Sequence, residues 1–163
     1  MELTLSLGSV ITACLGFLGV YVLMPFALIA RDYLLIKFVN KYLLDEQFWR
    51  DLIVLESDRA HLNYLYNKTA EIKYPLGGGV PEFSIDGKIV SQKEFETLEC
   101  SRSFHVDRME IVQKRIALKN NIALKLFKHF KLNEYDGIIE KKSKELYESA
   151  INSIKRKEAN NAS

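Results

Sequence analysis

From Leu3 to Ala30 the chain carries no Asp, Glu, Lys or Arg, a run of 28 residues rich in Leu, Val and Ile. About 20 apolar residues cross the roughly 30 Å hydrocarbon layer of a bilayer as a helix. In lipid, a lone segment satisfies its own backbone only in that form. The pattern therefore predicts a single transmembrane anchor over residues 1–30, with Pro25 bending its inner end.

After Ala30 the period becomes helical and two-sided. Leu35, Phe38, Val39, Tyr42 and Leu43 fall on one side, with Lys37, Asn40 and Lys41 opposite. Phe48, Leu52, Leu55, Leu62 and Leu65 continue the stripe, and neither Gly nor Pro interrupts Arg31 to Tyr74. This reads as an amphipathic helical arm over 31–74, either one helix or two with a bend near Asp45. Pro75 to Pro81, with three glycines, ends it. Asp86-Gly87 between Phe83–Ile85 and Lys88–Val90 signals a β-hairpin, so 75–90 is a loop and a hairpin that must pack on helices.

Ser91 and Glu94 have the capping-box spacing and open a helical body over 91–158. Its expected parts are a short helix holding Phe95 and Leu98 inward, then a helix over Val106–Phe130. The latter buries Met109, Val112, Ile116, Ala123, Leu126 and Phe130. A last helix, capped within Asn133–Asp136, carries Ile139, Leu146, Ala150 and Ile154, and residues 159–163 form a frayed tail. The fold class is mainly α: one transmembrane helix, a helical cytoplasmic body and one small β-hairpin.

Flanking charge sets the expected orientation. Only Glu2 precedes the run, whereas Arg31, Lys37 and Lys41 follow it, which places the N-terminus outside and the body in the cytoplasm. A cleaved signal peptide fits poorly, without a basic leader or a small-x-small site before Arg31. Ile11-Thr12-Ala13-Cys14 has the outline of a lipobox, but the apolar run continues past the cysteine. Cys14 and Cys100 make no disulfide framework, in keeping with a reducing compartment. The sequons at Asn67 and Asn161 would be silent there.

Charge is uneven although the net is only +2. Asp45–Glu99 holds 11 acidic and 6 basic residues, while Asp107–Lys131 holds 7 basic and 2 acidic. Opposed segments of this kind attract each other within a fold or meet charged partners. The basic helix over 107–131, with Lys114, Arg115, Lys119, Lys125, Lys128 and Lys131, offers a face for anionic lipid or nucleic acid. Nucleic acid is disfavoured because no aromatic stacking pattern accompanies the lysines. A solvated helix face answering the acidic middle is the preferred reading.

Catalytic signatures are sparse. No P-loop, dinucleotide fingerprint or nucleophile elbow occurs. His61, His105 and His129 are isolated along the chain, with Asp58–His61 and Cys100–His105 the only local pairings, so no metal and no cofactor is expected. Asp86-Gly87-Lys88 resembles the acid-x-Lys element of metal-dependent PD-(D/E)xK nucleases. That resemblance implies a magnesium-binding Asp86 and a charge-stabilising Lys88, but the tripeptide falls on the hairpin turn.

What stands out instead is surface for contact. Gly8, Thr12 and Gly16 recur every four residues, as in close-packed membrane helices. The arm carries Leu35, Phe38, Tyr42, Trp49, Leu52 and Leu55, more apolar surface than two later helices are expected to cover. These features predict a non-enzymatic, membrane-anchored subunit or regulator of a membrane complex, in contact with lipid and with protein partners, including itself.

Overall fold

A computed structural model describes residues 7–132 and 137–162. The apolar run forms α1 (Leu7–Leu18) and α2 (Met24–Phe38), which belong to one continuous helix, Leu7–Leu43. Two π-helical turns, Gly19–Leu23 and Val39–Leu43, interrupt it. The first lies just before Pro25, whose ring would clash with the carbonyl four residues back in a regular helix. Widening the turn, with Met24 N–H donating to Gly19 O, relieves that clash.

This helix is long and apolar enough to cross a membrane, and none of its most apolar window is covered by the rest of the chain. At about 1.5 Å per residue it reaches roughly 55 Å, longer than the roughly 30 Å of a bilayer's hydrocarbon layer.

The chain breaks at Leu44. Asp45 is extended and its Oδ1 accepts from Phe48 N at 2.8 Å, capping α3 (Glu46–Tyr64). The arm is therefore two helices with a bend at Asp45. It also ends earlier than expected: Ala70–Lys73 is a strand, β1, so the helical arm does not extend to Tyr74. β1 pairs antiparallel with β2 (Glu82–Ile85), which pairs with β3 (Lys88–Val90). The expected hairpin is present as part of a three-stranded sheet. Asp86 and Gly87 have φ of 50° and 75°, the two positive values that a tight hairpin turn requires. Asp86 also exchanges hydrogen bonds with Thr69 through its N–H and Oδ1, which extends the β1–β2 ladder.

α4 (Gln92–Phe130) is a single helix of 39 residues where two were expected. Ser91 caps it with the full reciprocal capping box. The sheet rests on its first turns, with the Phe83 and Phe95 rings 5.2 Å apart. α5 (Ile138–Ala162) runs back along α3 and remains helical through the expected frayed tail to Ala162, a stretch without Gly or Pro. The cap expected over Asn133–Asp136 lies outside the described residues.

The core sits between α3 and α4. Phe48, Leu52 and Leu55 meet Val112, Ile116, Ala123 and Phe127, and Val39 and Leu44 close it from the side of the long apolar helix. α5 adds Ile139 and Leu146 at the edge.

Candidate interaction surfaces

α3 and α4 are joined by acid–base pairs as well as by apolar contact. Lys119 Nζ donates to both oxygens of Asp45 at 2.8 Å. Arg115 lies 3.6 Å from Asp51, and Arg108 grips Asp58 with two guanidinium nitrogens. Three acids in ascending order meet three bases in descending order, as antiparallel helices require.

The innermost pair is the most constrained. The Asp58 side chain is fully buried, and His105 Nδ1 adds a contact at 2.8 Å. Burial pushes the Asp58 carboxyl upward, but the Arg108 and His105 hydrogen bonds outweigh it and hold the pKa below the ordinary value. The same contact raises Arg108. The Lys119 hydrogen bond is the main cause of a lowered pKa at Asp45. His105 also stacks on His61 with ring centroids 5.0 Å apart, while His61 Nδ1 bonds to Ser57 O. The local Asp58–His61 pairing is thus replaced by a long-range Asp58–His105 contact.

This arrangement redistributes the expected basic face. Arg115 and Lys119 are committed to α3, and Lys114 pairs with Glu110 on its own helix at 2.6 Å. Lys125, Lys128 and Lys131 stand exposed at the end of α4. The face over 107–131 is therefore divided, with its first part facing the protein's own acids.

The arm is likewise divided. Leu52 and Leu55 are 2% and 5% exposed, covered by α4 and α5, so they offer no partner surface. The sequence expectation overestimated the uncovered surface because α4 buries a long stripe against them. Leu35 and Trp49 are half-buried, Trp49 edge-on to Phe48. Phe38 and Tyr42 remain exposed, their rings 5.1 Å apart.

Gly8, Thr12 and Gly16 all face outward, with the Thr12 hydroxyl donating to Gly8 O. A Cβ built on Gly16 meets nothing within the chain. Asp86 and Lys88 are exposed on the turn, and Asp86 is engaged by Thr69. Among the described residues, no group of three His, Cys, Asp or Glu could hold a metal ion. A cleft of about 330 Å³ between α3, α4 and α5 is lined by Glu56, Asn120 and Ser143 over an apolar floor. Glu56 there accepts from Arg59 and from the Ser143 hydroxyl, tying α5 to α3.

One surface escaped the sequence reading. Phe104, Ile111, Leu118 and Ile122 lie along an outer flank of α4, 42–66% exposed, about a third of a turn round from its buried stripe. Their spacing of seven, seven and four was the available signal, masked because the inward stripe accounted for the helix's amphipathicity. No family model, curated protein or solved structure matches this chain.

Proposed function

We propose that this chain is a non-enzymatic, single-pass membrane subunit or regulator of a membrane-bound complex, with its N-terminus outside and its body in the cytoplasm. The observation that carries this reading is the second apolar stripe of α4. Phe104 supports the Arg108 guanidinium within the fold, but Ile111, Leu118 and Ile122 stay 60%, 66% and 42% exposed. Exposed apolar side chains that recur along one flank of a helix mark a protein contact. A heptad-related stripe suits a helix laid alongside it. The outward Gly8–Thr12–Gly16 face is compatible with a second contact inside the bilayer.

Extraction in mild detergent, followed by sizing and identification of co-purifying chains, tests this. The wild-type chain is expected above its monomer size, as a homo-oligomer or with a second protein. Ile111→Lys with Leu118→Lys reduces that size while stability changes by only about 0.5 kcal/mol per exposed site. A folded monomer with nothing bound overturns the proposal. Orientation is read separately by labelling a Ser163→Cys variant in intact cells, where labelling from outside rejects the assigned topology.

A further inference from the structure

We propose that the anchor-proximal end of the body binds anionic phospholipid headgroups of its own bilayer, through a collar that combines α4 with the inner end of the membrane helix. It rests on the span assigned above but requires no protein partner.

Arg31 is the first charged residue after the apolar run, and its guanidinium lies 5.2 Å from the centre of the Phe130 ring. The last turn of α4 is thereby held at the depth where the anchor becomes polar. Lys125, Lys128 and Lys131 are exposed on that last part of the helix and its cap. No acidic residue occurs between Glu110 and Glu134, so their charge is unopposed along the helix itself. Arg31 is partly compensated by Asp32, 2.7 Å away, which leaves the lysines as the main source of positive potential.

The other side of the membrane helix supplies the rest of the collar. Lys37 and Lys41 lie opposite the inward Leu35 and Val39, and a shallow groove of about 460 Å³ runs between them over Tyr33 and Ile36. Lys37 Nζ lies 6.0 Å from the Tyr33 ring and Lys41 Nζ 5.3 Å from that of Tyr42. Aromatic rings with lysines beside them, about one to three turns past an apolar span, suit the interfacial layer, with rings among the acyl-chain ends and ammonium groups at phosphate. The shared chemistry is a phosphate monoanion. The apolar groove and the depth assign it to a lipid headgroup.

The test uses the full chain in a neutral detergent with equimolar phosphatidylglycerol and phosphatidylcholine, with retained lipids counted by native mass spectrometry. Phosphatidylglycerol is expected to be retained preferentially. A Lys125→Glu, Lys128→Glu, Lys131→Glu variant lowers that preference at least about tenfold, since each basic residue near an anionic surface is worth roughly fivefold. The matched Lys73→Glu, Lys88→Glu, Lys93→Glu variant, altered at the far end of the body, leaves it unchanged. The milder Lys128→Gln, Lys131→Gln variant gives an intermediate loss and serves if the triple reversal perturbs folding. Equal retention of the two lipids, equal loss in the far-end variant, or displacement by inorganic phosphate each overturns the proposal. A monomeric chain that still selects phosphatidylglycerol rejects the partner reading and leaves this one standing.

Discussion

Asp58 is the residue on which the α3–α4 pairing is most concentrated. It is a fully buried carboxylate held by Arg108 and His105. Its folded-state pKa lies below its ordinary value of 3.8, so its contribution to stability is fully present above that value and is lost as pH falls through the folded one. Acid unfolding followed by circular dichroism is expected to begin as the pH drops below about 4. Asp58→Asn flattens that limb and lowers stability at neutral pH. Leu52 makes the apolar counterpart: at 2% exposure, Leu52→Ala is expected to cost roughly 2–5 kcal/mol in a urea titration. An unchanged midpoint would place Leu52 on a partner surface after all.

At the level of elements, local chemistry was legible wherever it is self-contained. The Ser91–Glu94 box and the Asp86-Gly87 turn each specify their structure within a few residues, and the uncharged run does so as a long apolar helix. Strand β1 was not, because Ala70–Lys73 has no turn signal of its own and is extended only because β2 pairs with it. The continuity of α4 was hidden for a different reason. Between Leu98 and Met109 its inward positions include Arg102 and His105, which satisfy the Tyr66 carbonyl and the Asp58 carboxylate. Helical periodicity there is carried by polar groups, so an apolar count sees a gap. The uneven charge foretold attraction between the acidic and basic segments, but the partners were set by packing. Asp45 both caps α3 and holds Lys119, so Asp45→Ala is expected to cost about 1 kcal/mol for the cap. The lost ion pair adds a smaller, salt-sensitive part. A midpoint insensitive to the substitution would show that the bend is held by Leu44 packing alone.

For the whole molecule, the division at residue 30 marks where charge begins, not where structure changes. The helix passes through it, and Val39 and Leu44, 0% and 8% exposed, complete the core of the body. A body beginning at Asp45 is accordingly expected to unfold at lower urea than one beginning at Arg31, and equal midpoints would show that the body is independent of its tether. The ion pairs between α3 and α4 also impose an order in time, since they join residues 50 to 74 positions apart. At roughly 5–20 residues per second, the bases on α4 follow their acids out of the ribosome by about 3–15 s. The apolar helix is made before either. For that interval α3 waits with Phe48, Leu52, Leu55 and Asp58 unanswered. The residues between Tyr64 and Ser91 make up part of this wait, so lengthening that connection prolongs a vulnerable nascent state even where the finished protein is unchanged.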